Sequence, residues 1–373
     1  MGEESSLEAS IVRPECIEVL EHRIPGLEVE SASEGQVTLK SPYPALLSRG
    51  EWERLYGELI SRGCKPVIRI WRGYTVVMLS LDREEKGGGL YKGLILALLT
   101  ILTLYMSGAY LADSLRSYSA ESLRESPILV PWLYVIGLLG PLLIHELGHW
   151  SMMRLYRTPS SLPYLIPAPP LQWGFLGTFG AVINMRWIPP TVDSLAIVGV
   201  MGPLAGFIAA IPVTVYGLMM SPVVPASMVP PGGYLQVYPL IFLFLGSRFL
   251  PNPGEDSVVL LHPLAFAGYI VFLVTFLNLI PIGQLDGGHV IRSCLGDEGH
   301  RKVSMLFLVL LLGLSVVESF LLLFAFIAFG LYLLSRGRHP GPATPVEDLS
   351  VKGQLAVIVY FVLLFLTFPL PLF

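Results

Sequence analysis

The rhythm of apolar positions divides the chain into two unlike parts. Through residues 1–86 hydrophobic residues recur in short amphipathic runs. Residues 6–25 have a helical rhythm, and 35–42 read as a strand after the Ser33–Gly35 turn. Residues 45–62 read as a second helix ending at Gly63, where a C-terminal cap belongs. Residues 65–81 form two alternating runs that fold back at Arg72-Gly73 as a β-hairpin. Beyond the glycine-rich linker at 87–92 the pattern changes to long uncharged stretches. About 20 residues of helix cross the ~30 Å hydrocarbon core, and seven stretches qualify: 93–112, 127–150, 197–219, 263–282, 303–317, 319–335 and 354–373.

Three places break that pattern. Residues 158–190 hold Pro159, Pro163, Pro167, Pro169 and Pro170, which forbid a helix through the first half, while the second half alternates as a short hairpin does. Irregular backbone at membrane depth is tolerated where protein buries it or it lines a wet cavity, so this segment reads as a re-entrant loop leading into a β-hairpin. Residues 234–246 are too short to span and read as an interfacial or half-inserted segment. Residues 303–335 are too long for one span, and Glu318 near their middle divides them into two helices.

Composition sharpens this division. The chain is 53% hydrophobic and only 14% charged, with a mean hydropathy of +0.65. Residues 1–86 carry 11 Lys/Arg and 15 Asp/Glu, half of all the charges, so the first quarter is a water-exposed α+β domain and the rest is built for lipid. A net charge of −4 offers no basic patch and no reason to expect a nucleic-acid partner. Cys16, Cys64 and Cys294 are too few and too scattered for a disulfide framework, and are expected to be small, reduced packing residues. The polar, acidic start at residues 1–10 has no signal-peptide character, so the N-terminus is expected in the cytoplasm. Arg154, Arg157, Arg292, Arg301, Lys302, Arg336, Arg338 and Lys352 then fall on the inside, and Arg116, Arg124 and Arg248 outside. That assignment holds if 234–246 does not cross. It describes a multi-pass protein of the cell membrane with an external C-terminus.

One apolar stretch carries chemistry. Residues 127–150 end in His145, Glu146 and His149. On a helix His145 and His149 stand at i and i+4, so both imidazoles can bind one Zn2+ ion per chain, with Glu146 beside it to take a proton from water. Burying these groups without a function is costly, which makes the motif far more specific here than in a soluble helix. A third ligand is needed. Asp286, near the same end of another helix, is the best candidate, with Gly287 and Gly288 expected to break the helix and let it reach across; His289 is the runner-up. His262 falls on the far side of the bilayer, and Asp193 and Glu318 sit at helix ends where a solvated role suffices. Gly199, Gly202 and Gly206 have the spacing of a close helix contact.

The HELGH motif at 145–149, with NLIPIGQLDGGH at 278–289, resembles the site-2 protease family of intramembrane zinc metalloproteases. Asn278, Pro281, Asp286 and Gly287 fill the second motif of that family. LIPAPP at 165–170, GTFGA at 177–181 and GPLAG at 202–206 resemble its archaeal, cyanobacterial and plastid branch. The likeness covers roughly residues 127–292; no PDZ insertion, CBS domain or GNLR motif is found. It implies a metalloprotease core at 93–300 followed by C-terminal membrane helices at 301–373. It implies zinc held by His145, His149 and Asp286, Glu146 as general base, and Asn278 as a donor to the oxyanion. It also implies that Gly177, Thr178, Phe179 and Gly180 bind substrate by strand addition. The substrates would be transmembrane proteins, cut within or next to their membrane segments inside the lipid bilayer.

Two alternatives remain at this point. A metal-ion transporter would use His145, His149 and Asp286 as a transit site, but it would be expected to show internal repeats, and none is found. Another HExxH peptidase family would take a glutamate as third ligand, for which Glu318 is the downstream candidate at membrane depth.

Overall fold

The computed structural model describes residues 13–33, 35–43, 47–81, 89–118, 126–229, 237–317, 321–344 and 348–371. Glu318, Lys86, the charged loop with Glu121, Arg124 and Glu125, and the turn at 230–233 lie outside them.

The charged N-terminal part forms helix α1 (Pro14–Glu21), strands β1 (Glu28–Ser33) and β2 (Gln36–Ser41), helix α2 (Arg49–Ser61), and strands β3 (Cys64–Trp71) and β4 (Tyr74–Leu81). The strands make one antiparallel sheet in the order β1-β2-β4-β3. The start of α2 is set by Ser48 and Glu51, whose carboxylate accepts the Ser48 backbone N–H at 2.9 Å. Beyond its end, Gly63 adopts φ +76°. The β3–β4 turn closes over the Trp71–Tyr74 pair with positive φ at both Arg72 and Gly73, the twist that two-residue hairpins require. Alternate residues Val37, Leu39, Ile68, Val77 and Leu79 pack on Trp52, Tyr56 and Leu59 of α2. Strand β1 was not foreseen: most of its residues are exposed, so no apolar alternation marks it.

The cysteine expectation is corrected here. Cys16 and Cys64 are joined by a disulfide across 48 residues, and only Cys294 is free. Linear spacing concealed that the first turn of α1 packs on the first residue of β3, where both sulfurs are fully buried.

The apolar part forms α3 (Gly89–Tyr118), α4 (Leu129–Leu155), a hairpin of β5 (Tyr164–Pro167) and β6 (Thr178–Val182), and α5 (Val192–Met219). Then follow β7 (Val223–Pro225), β8 (Val237–Pro239), α6 (Leu240–Phe249), β9 (Ser257–Val259) and α7 (Pro263–Leu279). Last come α8 (Asp286–Val317), kinked at Gly296 where φ is +69°, α9 (Leu321–Ser335), α10 (Val351–Thr367) and β10 (Pro369–Pro371). Four of the described helices, α3, α4, α5 and α8, are long and apolar enough to cross a membrane. Of their most apolar windows, 56% is buried in α4 and 61% in α5, against 22% in α3 and α8, so α4 and α5 form the centre.

Pairing among the short strands shows which helix ends lie together. β7 pairs with β9, bringing the end of α5 beside the start of α7, and β8 pairs with β10, bringing the start of α6 beside the end of α10. Helix α6 has ten residues, about 15 Å, too short to cross the ~30 Å hydrocarbon core. The end of α4, the start of α5, the end of α7 and the start of α8 gather at the opposite end of the bundle. Helix α2 of the N-terminal part sits there too: Trp52 donates its indole N–H to the Pro190 carbonyl at 2.7 Å, just before α5.

Candidate active site

Helix α4 brings its polar face to the centre through two close approaches to α5. A Cβ on Gly148 would lie 2.5 Å from the Met201 carbonyl oxygen. On α5, a Cβ on Gly206 would meet the His145 Cβ at 2.9 Å, and one on Gly202 would collide with the His149 ring. A Cβ on Gly199 would come within 2.8 Å of His289 and 2.9 Å of the Asp286 carbonyl. The glycine row on α5 is therefore the floor on which α4 and α8 both rest.

Asp286 reaches this floor from a break between α7 and α8. Tyr360 of α10 donates to the Leu279 carbonyl at 3.0 Å. Ser304 donates to the Pro281 carbonyl at 2.8 Å, and His300 Nε2–H to the Gly283 carbonyl at 3.1 Å. These donors fix residues 280–283, just after α7, as a non-helical connection, with Gly283 at φ +58°. Contrary to the expectation from the sequence, Gly287 and Gly288 do not break a helix; they lie in the first turn of α8. Their missing side chains let that turn press against the Leu279 and Gly283 carbonyls.

The result is a compact group of donors. His145 Nε2 and His149 Nε2 stand 3.0 Å apart. Asp286 Oδ2 is 3.2 Å from the first, and its Oδ1 is 3.3 Å from the second. Both histidines are buried. His149 Nδ1 lies 2.8 Å from the Val198 carbonyl; a carbonyl only accepts, so Nδ1 carries the proton and the Nε2 lone pair faces the other donors. Two atoms each 2.0–2.1 Å from a tetrahedral zinc would stand roughly 3.3 Å apart. The three separations and the tautomer of His149 fit that ion. Among the described residues this is the one cluster of three or more such side chains placed to hold a metal.

A cavity of about 550 Å³ opens over the group. It is lined by His145, Glu146, His149, Asn278 and Asp286, so the side chains singled out in the sequence at those positions face one space. His289 also lines it, but its Nδ1 is taken by the Leu285 carbonyl at 3.0 Å, and its ring lies 4.6 Å from that of His339. His262 instead caps α7, its Nδ1 accepting the Leu264 N–H at 3.1 Å.

The hairpin forms one wall. β5 and β6 pair antiparallel, and the extended chain continues, with Ser161 N–H donating to the Asn184 carbonyl at 2.9 Å. The residues facing the cavity are Ala181 to Pro189. Gly177 to Gly180 lie farther along the strand. Gly177 is tied to α3 by a 2.6 Å bond from the Thr103 hydroxyl to its carbonyl, Thr178 donates to Ile166 at 2.9 Å, and Phe179 is 63% exposed. Sequence reasoning missed Trp187, Ile188 and Pro189 and, from the connection before α10, His339, Pro340 and Gly341, which complete the lining. No motif marks them; the proline pair at 189–190 and Pro340, Pro342 and Pro345 were the one available signal of non-helical backbone.

The profile of peptidase family M50 matches residues 133–322, from the second turn of α4 to the start of α9. The chain belongs to peptidase family M50. Similar M50-type relatives include the Arabidopsis thaliana protein named Probable zinc metalloprotease EGY1, chloroplastic, 31% identical over 55% of this chain and 36% of the relative. The rice protein of the same name is 30% identical over 62% and 39%, and Arabidopsis EGY2, also named as a probable chloroplastic zinc metalloprotease, is 28% identical over 61% and 40%. The chain thus spans about two fifths of the length of these relatives. No solved structure matches. The relatives are described as chloroplastic, so they lend no support to a cell membrane or to a cytoplasmic N-terminus for this M50 member.

Proposed function

We propose that this chain is a zinc endopeptidase that hydrolyses peptide bonds within or next to transmembrane segments of other membrane proteins. The observation that carries the reading is the meeting of His145 Nε2, His149 Nε2 and both Asp286 carboxylate oxygens within 3.0–3.3 Å, in a cavity that also holds Glu146 and Asn278. Membership in the family and the names of the relatives support it.

His145, His149 and Asp286 would hold the ion. When bound, zinc supplies Lewis acidity that lowers the pKa of water toward about 7 and polarises a carbonyl. Glu146 accepts a proton on its carboxylate as water attacks the scissile carbonyl, and returns it to the departing amine. Asn278 presents an amide N–H to the oxygen that gains charge. A substrate helix has its amides bonded internally, so a peptide bond becomes accessible only once a stretch unwinds. The extended wall at residues 181–189 offers such a stretch an unwound path, and strand addition along the hairpin, including Gly177 to Gly180, extends it. We place this activity in a lipid bilayer, with the N-terminal domain and the active cavity on the same, cytoplasmic side.

The test uses the purified chain, in liposomes with single-span reporter substrates. Wild type is expected to cut near the membrane segment and to carry zinc. Glu146→Gln is expected to keep the zinc and lose cleavage by a factor on the order of 10³ or more. Zinc transport into the liposomes without cleavage would overturn the reading in favour of a metal-transit site.

A further inference from the structure

Two irregular segments, residues 187–190 and 339–344, complete the cavity wall between them. Ile188, Pro189, His339, Pro340 and Gly341 face the cavity. The segments bond to each other, Ala343 N–H to the Pro189 carbonyl at 2.8 Å and Thr344 N–H to the Pro190 carbonyl at 3.1 Å. Pro189, Pro190 and Pro340 have no N–H, so neither segment can complete a regular ladder, and their carbonyls need donors from elsewhere.

The N-terminal domain supplies them. Tyr56 donates its hydroxyl to the Ile188 carbonyl at 2.8 Å, and Trp52 its indole N–H to Pro190 at 2.7 Å. Arg69 donates to the Ala343 carbonyl at 2.9 Å and to Pro340 at 3.3 Å, while Ile68 N–H donates to Ala343 at 2.8 Å. In return Trp187 donates to the Pro66 carbonyl at 3.2 Å. Trp52 and Tyr56 are almost wholly buried. Burial pushes the Tyr56 phenol well above its ordinary value, so it stays a donor at any physiological pH.

We propose that Trp52, Tyr56 and Arg69 are positioning residues for the active cavity, holding the paired segments 187–190 and 339–344 where a substrate backbone must lie. None of the three lines the cavity with His145, Glu146, His149 and Asp286, which are carried by α4 and α8. Their effect therefore falls on substrate binding along the wall rather than on the metal or the base. The domain lies outside the stretch that matches the family, yet it sets the spacing of the wall that an unwound substrate meets.

The experiment compares full-length wild type with Trp52→Phe/Tyr56→Phe, which keeps an aromatic ring at both positions and removes both bonds, and with Arg69→Gln and Arg69→Lys. Hydrogen exchange is read first. In the double variant, amides of residues 181–188 and 341–344 are expected to exchange at least about tenfold faster, while those of residues 139–150 in α4 change less than twofold. Kinetics on a single-span substrate rest on the function proposed above. KM is expected to rise about five- to tenfold with kcat within twofold and zinc content unchanged, and Arg69→Lys to recover part of the loss caused by Arg69→Gln. Exchange that quickens equally throughout, or an unchanged KM in the double variant, overturns the proposal. If no substrate is cut even by wild type, the peptidase reading fails while the exchange comparison still decides this one.

Discussion

Asp193, in the first turn of α5, is ion-paired with Arg49 of α2, 144 residues earlier in the chain. The same carboxylate accepts the backbone N–H of Ser350 at 2.9 Å and the Ser350 hydroxyl, just before α10. One buried acid thus joins the N-terminal domain, the central helix and the last helix. The sequence suggested a solvated role at a helix end; only 5% of Asp193 is exposed.

Replacing Arg49 by Met leaves that carboxylate with the two Ser350 donors but without the Arg49 charge. Arg49 itself is partly exposed, so the loss is expected to be about 1–3 kcal/mol, between the values for surface and fully buried pairs. Thermal unfolding in detergent checks it. An unchanged midpoint would mean that Ser350 alone satisfies the acid.

Asp286→Ala removes two oxygens that face both imidazoles. The remaining pair of histidines is expected to bind zinc at least about 100-fold more weakly, and chelation of the wild type is expected to abolish cleavage reversibly. Metal content after dialysis decides. Full zinc retention in the alanine variant would return attention to a glutamate ligand such as Glu318, which lies outside the described residues.

Gly202→Ala tests the floor beneath the site. The added methyl would occupy the space of the His149 ring, so the ring or the α4–α5 contact must shift. Zinc affinity is expected to fall on the order of tenfold with the protein still folded. Gly140→Ala, where a Cβ meets nothing within 4 Å, is the matched control and should bind zinc as wild type does.

His339 lies in the connection before α10 and is 4% exposed. Burial, with His289, His300 and Arg292 around its ring, holds its pKa well below the ordinary 6.5. The unfolded chain binds a proton there first, so the stability tied to neutral His339 is present above about pH 6.5 and is lost as pH falls below it. Melting temperature measured from about pH 8 to about pH 5 should therefore decline, and decline less in His339→Gln. Identical slopes in the two proteins would remove His339 as the cause.

Local rules made much of this protein legible. The i, i+4 spacing of His145 and His149 is a property of any helix, and the uncharged runs announce membrane helices because charge is costly in hydrocarbon. Gly63 and the Arg72-Gly73 turn were readable because positive φ selects a few residue types. Gly199, Gly202 and Gly206 could be read as a contact surface, though not as the surface that carries His145, His149 and Asp286.

Tertiary structure decided what depends on residues distant in sequence. The Cys16–Cys64 disulfide, the Arg49–Asp193 pair and the docking of Trp52 and Tyr56 on residues 188–190 leave no periodic trace, because each joins segments whose separation in sequence says nothing about their separation in space. By itself the sequence determined which groups could hold a metal and move a proton, and that they sit among apolar helices. Packing alone decided that Asp286 enters through a fixed non-helical break, and that the charged N-terminal part bonds to the segments forming the cavity wall. The physical reason is that spacing along a helix follows from the backbone, whereas distance between elements follows from how their side chains fill space.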